Sequence, residues 1–201
     1  WQKRAPTESR AGQPEDAVFA QVGVLLYQGK ILAAMAIGCQ YATYLRPGEM
    51  FGLLCRDLIV TRTPTGQKAG FLLHPSATGS VGKTGESDES VEFDLPEHAW
   101  LTENLILLAA NRQEDDPLFM MPQEEYNRLY LSSLKTLGLE RLHLVPYTLR
   151  HAGASNDFSL GKRDLAAIKF RGRWRSDRSV ARYTKSTHLR RVEQQIDQSV
   201  L

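Results

Sequence analysis

Between Leu58 and Leu95 the hydrophobic pattern of this chain changes from a helical to a strand-like spacing, and after Leu95 it changes back. Within that window the runs Leu58-Ile59-Val60-Thr61, Gly70-Phe71-Leu72-Leu73 and Val91-Glu92-Phe93-Asp94-Leu95 are separated by Gly, Pro, Thr and Ser turns. Short β-branched and aromatic runs bounded by turn formers predict strands, here a small antiparallel sheet. On either side, apolar residues recur at helical spacing. Ala17 to Leu26 and Ile31 to Tyr44, broken at Gln28-Gly29, predict two packed helices. Pro47 suits the first turn of a third, running to about Cys55, because a first-turn residue needs no amide N–H. Arg46 then lies at a helix N-terminus. Trp100 to Asn111, Glu124 to Leu137 with Gly138 as its stop, Leu149 to Leu160 with Gly161 as its stop, Arg163 to Phe170, and His188 to Val200 predict the remaining helices. The fold class that follows is mainly α with a small antiparallel β-sheet (α+β), the sheet inserted after the Arg46 helix.

With 201 residues, 42% of them hydrophobic, the chain can bury one substantial core. Residues 1–16 carry Pro, Gly, Ser and alternating charges and read as a disordered or extended lead-in, leaving residues 17–201 as one domain. No run of about 18 apolar residues occurs, so no membrane partner is expected. Trp1-Gln2-Lys3-Arg4-Ala5-Pro6 lacks the apolar centre of a secretory signal, and the start without Met reads as a fragment of a longer chain. Cys39 and Cys55 lie in apolar, helix-like surroundings and read as buried free thiols, which favours an intracellular setting, nucleus or nucleoid according to host. No metal-ligand spacing is visible, and neither metal nor cofactor is expected.

Net charge is only +2, but its distribution is uneven. Between Gly161 and Arg191 stand eleven Lys/Arg and two Asp, whereas Glu86, Asp88, Glu89, Glu92 and Asp94 cluster upstream. The basic residues surround Trp174 and Tyr183, so Lys162, Arg163, Arg171, Arg173, Arg175 and Arg178 are candidate contacts to a polyanion, double-stranded DNA above all.

Four boxes within that frame resemble one family. Tyr44-Leu45-Arg46-Pro47-Gly48-Glu49 is similar to a helix start bearing a catalytic arginine and an acidic partner three residues on. Tyr147-Thr148-Leu149-Arg150-His151 resembles a box of histidine, two residues and arginine. Gly172-Arg173-Trp174 resembles a position that holds His or Trp, and Tyr183 follows nine residues later. Together they resemble the catalytic domain of the tyrosine recombinases, or phage-type integrases, over about residues 17 to 200. The resemblance implies DNA strand cleavage and rejoining by a site-specific recombinase or mobile-element integrase, through a 3′-phosphotyrosine. It implies Arg46, Arg150, Trp174 and Tyr183 as catalytic residues, a hairpin lysine matched by Lys83 ahead of Lys68, and Glu49 and His151 as supporting residues. Tyr147 stands where the family usually has histidine and is expected to contact phosphate. It further implies a helical DNA-binding domain before the catalytic one, expected to be absent from this chain, and a dimer or tetramer on DNA joined through the C-terminal helix.

The chemistry can be argued from the residue types themselves. A phenol with a pKa of about 10 is a weak nucleophile at neutral pH, and a phosphodiester repels anions. Two guanidinium forks can each grip non-bridging oxygens, hold phosphorus in line with Tyr183 and stabilise the charge that builds during attack. A lysine can protonate the departing 5′ oxygen, and an indole N–H can donate to phosphate. Tyr147 can donate a hydrogen bond, but a neutral phenol is a poor base. Two other readings keep the same residues: a DNA-binding remnant without cleavage, and a type IB topoisomerase-like enzyme that relaxes supercoils without exchanging strands.

Overall fold

The computed structural model describes residues 12–64, 66–74 and 89–184, together with Arg190, Glu193, Gln194 and Ile196. It is mostly helical with one small sheet, as the change in pattern predicts. The helices are α1 (Glu15–Tyr27), α2 (Ile31–Thr43), α3 (Pro47–Phe51), α4 (Ala99–Ala109), α5 (Gln123–Thr136), α6 (Tyr147–Ser159), α7 (Leu165–Arg171) and α8 (Asp177–Val180). The strands are β1 (Leu58–Thr63), β2 (Gly66–Leu73) and β3 (Glu89–Glu92), antiparallel in the order β1-β2-β3. The register pairs Leu58 with Phe71 across the first hairpin and Phe71 with Val91 across the second pair.

The centre of the molecule is α2, buried from Ala33 to Thr43. Its sequence explains how it tolerates neighbours on all sides: Ala33, Ala34, Ala36, Gly38 and Ala42 present little bulk, so α1, α4, α5 and α6 all pack against it. A Cβ on Gly38 would press at 3.0 Å on Trp100 and Leu101 of α4. A Cβ on Gly153 of α6 would collide with the Tyr41 carbonyl and come within 2.7 Å of the Tyr44 ring, so glycine is what brings α6 close to the end of α2. Several polar groups buried between these helices are paired, although Gln40 Nε2 has no acceptor among the described residues. The Gln13 amide donates to Gln21 (2.6 Å), Gln21 donates to Ser133 (3.0 Å), and the Tyr126 hydroxyl donates to Gln40 (2.8 Å). Each such bond adds about 1 kcal/mol net, but a buried partner left unpaired costs about 1–3 kcal/mol.

Several boundaries differ from the sequence expectation for local reasons. The first helix begins at Glu15, two residues before Ala17, because Pro14 precedes it and the carboxylates of Glu15 and Asp16 favour a first turn; Gln13, expected in the lead-in, is buried. The third helix stops at Phe51 and not near Cys55, since Gly52 ends it and Leu54 then bridges to Pro117; Cys55–Asp57 form a 3-10 turn. The third strand begins at Glu89, two residues before the expected Val91. Cys39 is buried and Cys55 half-buried, and both thiols are free. Among the described residues no helix is long and apolar enough to cross a membrane. Most of the expected helix His188 to Val200 lies outside the described residues, but Ile196 is buried in this chain's own core.

Four of the residues expected to contact DNA make internal ties, Arg173 among them through Glu49 (2.9 Å). Lys162 bridges Glu15 and Glu97 at 2.8 Å each. Arg163 forks onto both Asp94 oxygens (2.6 and 2.7 Å) and reaches Asp157 (2.8 Å). Arg171 donates to the Ala42 carbonyl from Nε (2.9 Å) and Nη2 (2.8 Å), and to the Glu92 carbonyl (2.6 Å). The acidic run upstream and the basic run downstream are therefore partly each other's partners, locking α7 and the turn before it to α1, α2 and the sheet. A charge count along the sequence cannot distinguish that arrangement from an open basic face.

Candidate active site

The site is built around the C-terminus of α2. Tyr44 leaves the helix in the left-handed conformation (φ 54°), and the chain runs extended through Arg46 into Pro47 at the start of α3. Carbonyls at a helix C-terminus lack partners and carry the negative end of the helix dipole, so cations collect there. Arg171 takes the Ala42 carbonyl, and Arg150 Nη1 takes that of Tyr44, which also lies 3.5 Å from Arg173 Nη2. The Tyr44 hydroxyl donates to Asp157 of α6, fixing the turn from its other side.

Glu49 organises the arginines. Its carboxylate accepts the Arg46 backbone N–H (2.7 Å), pairs with the Arg46 guanidinium, lies 2.9 Å from Arg173 Nη2 and sits 3.9 Å from Arg150 Nη1. Burial pushes this carboxyl up, but Arg173, the Arg46 amide and side chain, and Arg150 outweigh it and hold it below the usual carboxylate range. A second carboxylate, Glu89 at the start of β3, lies 3.7 Å from Arg173 Nε. That distance is an ion pair but too long for a hydrogen bond, and Arg173 Nε and Arg150 Nε both lack an acceptor among the described residues. Among the described residues three guanidiniums therefore face two carboxylates, an excess of one positive charge at this point.

Arg150 is the most deeply placed of the three, with 0% exposure, and its two Nη groups donate to the Tyr44 and Gly172 carbonyls. Burial, and then Arg173 and Arg46, lower its pKa to about 10, which leaves it charged at neutral pH. The expected two-armed grip on phosphate is thus not open to Arg150 in this conformation, because both arms are taken by backbone. Arg46, with 23% of its side chain exposed, faces solvent more freely. The Trp174 ring lies over Arg150, with Cζ 4.7 Å from the ring centroid. Gly172 makes that seat: any Cβ there would overlap the indole. Arg173 between them is held at φ +53°, a conformation costing on the order of 1–2 kcal/mol for a residue with a Cβ, and its bonds to Glu49 and the Arg171 carbonyl hold it there.

Tyr183 follows α8 in a 3-10 turn, Ala181–Thr184, and is 3% exposed. It belongs to a small apolar cluster with Tyr44, Ala154, Ile168 and Val180, against which Trp174, Phe158 and Leu165 pack. Its ring centroid is 5.0 Å from that of Trp174. Its hydroxyl lies 2.7 Å from His151 Nδ1. Tyr147, the first residue of α6, is 41% exposed and sets its ring edge-on to His151 at 5.2 Å.

The structure therefore brings Arg46, Glu49, Tyr147, Arg150, His151, Arg173, Trp174 and Tyr183 together. Lys83 lies outside the described residues; Lys68 is exposed on β2, opposite Thr61. Arg175 and Arg178 are exposed and make no ion pair among the described residues. Sequence reasoning missed Glu89 as a partner of Arg173, and it named His151 as a supporting residue without fixing Tyr183 as its partner. The 32-residue separation of the latter pair carries no periodic signal, and Glu89 reads as one more member of an acidic run. Among the described residues no three His, Cys, Asp or Glu side chains are grouped to hold a metal ion.

No protein-family model matches the sequence, and no curated protein matches it. Solved structures do match. The XerA recombinase superposes with a TM-score of 0.62 at 17% identity, over 96% of this chain and 65% of that one. The XerH site-specific recombinase bound to palindromic difH substrate, a post-cleavage complex, gives 0.67 at 16% identity, over 94% and 54%. A pre-cleavage complex of XerH with difH gives 0.63 at 14%, over 95% and 56%. This chain thus has the fold of these tyrosine recombinases and spans about half to two thirds of their length.

Proposed function

We propose that this chain cleaves and rejoins DNA strands, with Tyr183 attacking a phosphodiester to form a 3′-phosphotyrosine that a 5′-hydroxyl later resolves. The observation that carries the reading is the excess positive charge of Arg46, Arg150 and Arg173 around Glu49, one aromatic ring away from the Tyr183 hydroxyl. A phosphate group is the anion that such a pocket suits. Arg46 is the guanidinium able to contact its non-bridging oxygens, while Arg150, pinned to two carbonyls, contributes a fixed buried charge below it. At an effective dielectric near 20, a unit charge about 4 Å away stabilises developing negative charge by about 4 kcal/mol. Trp174 walls the pocket and shields it from water.

Tyr183 is covered in the free chain, so DNA engagement must uncover its hydroxyl; the four-residue helix α8 and the turn after Gly172 are the short elements able to yield. Lys83 is six residues before Glu89, which touches Arg173. Six residues reach at most about 20 Å, so chain length allows this lysine to serve as acid to the leaving 5′ oxygen. Arg175 and Arg178, exposed beside the site, are the described residues of the basic run best suited to backbone phosphates. The likeness to recombinases that act on DNA, and the resemblance of the four sequence boxes, support the same reading. A recombinase or integrase acting as an oligomer on duplex DNA is the form of this activity we favour.

The test uses a pool of nicked duplexes of random sequence, from which the strand fragment beyond the cleavage point diffuses away and traps the intermediate. Wild type should give a denaturation-resistant protein–DNA adduct, and Arg46→Ala should form it at least about 10²-fold more slowly. Equal adduct formation by both proteins would refute the phosphate pocket.

A further inference from the structure

We infer that His151 accepts the proton of Tyr183 during attack, a role that rests on the reading of Tyr183 as nucleophile. The hydroxyl and Nδ1 are already at hydrogen-bonding distance, 2.7 Å, in the free chain. The imidazole is half-buried on α6, directly after the arginine that anchors the pocket, so the helix that fixes Arg150 also fixes the base. Tyr147 does not fill this role, because a phenol is a poor general base. Its ring instead sits edge-on to His151 and restricts how the imidazole turns.

Two described side chains face the imidazole. Tyr183 faces it from the turn after α8, and Tyr147 faces it from one helical turn earlier. The neighbouring Arg150 directs its cationic nitrogens to the Tyr44 and Gly172 carbonyls. With its own proton on Nε2, the ring presents the Nδ1 lone pair to the Tyr183 O–H. As the Tyr183 oxygen bonds to phosphorus, its O–H bond breaks and the proton passes to Nδ1, giving imidazolium. The bond from phosphorus to the 5′ oxygen breaks, the electron pair leaving with that oxygen, which takes a proton from Lys83 or from solvent water. In the rejoining step the incoming 5′-hydroxyl gives up its proton by the reverse route, and imidazolium returns the first proton to the departing tyrosine.

The experiment measures the rate of adduct formation on the nicked duplex pool between pH 5 and 9.5 for wild type, His151→Asn, His151→Ala and Tyr183→Phe, with DNA affinity measured alongside. Asparagine can place an oxygen near the Nδ1 position and keep a hydrogen bond to Tyr183 without holding a proton, so it separates positioning from base catalysis. The expected wild-type rate rises with pH through the imidazole range, about 6.5, and then levels off. Both His151 variants should be slower by about 10²- to 10⁴-fold at pH 7.5, with rates still climbing towards the phenol range, and should bind DNA as wild type does. An adduct that forms at the wild-type rate with the wild-type pH profile in His151→Asn would overturn this inference while leaving Tyr183 as nucleophile. An adduct that persists in Tyr183→Phe, or none from wild type, would overturn the underlying reading and this inference with it. The thermal midpoint of each variant distinguishes loss of the base from loss of the fold.

Discussion

Glu49→Gln tests how the arginine cluster is held together. The carboxylate pairs with Arg46 and Arg173 and lies 3.9 Å from Arg150, with only 8% of its side chain exposed. Glutamine keeps the shape and one acceptor for the Arg46 amide but removes the charge, leaving Glu89, 3.7 Å from Arg173 Nε, as the carboxylate beside the three guanidiniums among the described residues. Removing one partner of a buried ion pair costs about 3–5 kcal/mol, because the surviving charges are left unneutralised. For a chain of this size each 1 kcal/mol lowers the thermal midpoint by about 2–4 °C, so a fall of about 6–20 °C is expected. The assay is thermal unfolding in chloride buffer and again with millimolar to tens of millimolar phosphate or sulfate. An oxyanion can take the place of the lost carboxylate, so the variant should recover more of its midpoint in these salts than wild type gains. A midpoint within about 2 °C of wild type, or a recovery no larger than that of wild type, would refute the idea that Glu49 offsets a concentrated positive charge at this point.

Gly172→Ala places a methyl group inside the Trp174 ring, so it should unseat the indole from Arg150, alter tryptophan fluorescence and destabilise the chain by about 1–3 kcal/mol; an unchanged emission spectrum would contradict the packing. His98 has its pKa lowered to about 4, by burial first and then by Arg171. The unfolded chain therefore binds more protons between about pH 4 and 6.5, and stability should rise with pH across that window, by at most about 3 kcal/mol, a slope that His98→Gln should remove in urea titrations. Glu49 and Asp94 have lowered carboxyl pKa values, so the stability they add is present above the ordinary carboxylate range of about 4 and is lost as pH falls through their lower folded values. Arg175→Ala and Arg178→Ala should each flatten the salt dependence of DNA affinity by about one in slope, whereas Arg163→Ala should lower stability and leave the slope unchanged; binding measured from 50 to 300 mM salt distinguishes them.

How much of this was legible in the sequence depended on whether the cause was local. The change from helical to strand-like spacing at Leu58 and back after Leu95 was enough to place the three strands between α3 and α4, because strand formation there follows from runs of a few residues. Arg46 at the start of α3 was equally legible, since Pro47 fixes that boundary. The end of α3 was not, because Gly52 and the pairing of Leu54 with Pro117 depend on a partner more than 60 residues away. The same limit applied to the charges. Arg171 and Arg163 look like any residues of a basic run until the fold brings Ala42, Asp94 and Asp157 to them. Arg150 stands out by its sequence box, but its burial against two carbonyls and under Trp174 arises from separate elements that meet only in the folded chain.

The central claim is that the Tyr183 oxygen becomes bonded to DNA phosphate, and mass spectrometry of the trapped adduct tests it most directly. Wild-type adduct, digested with protease and nuclease, should yield a nucleotide-bearing peptide whose fragments place the added mass on Tyr183, and Tyr183→Phe should yield no such peptide. A nucleotide located on any other residue, or an adduct that survives Tyr183→Phe, would contradict it.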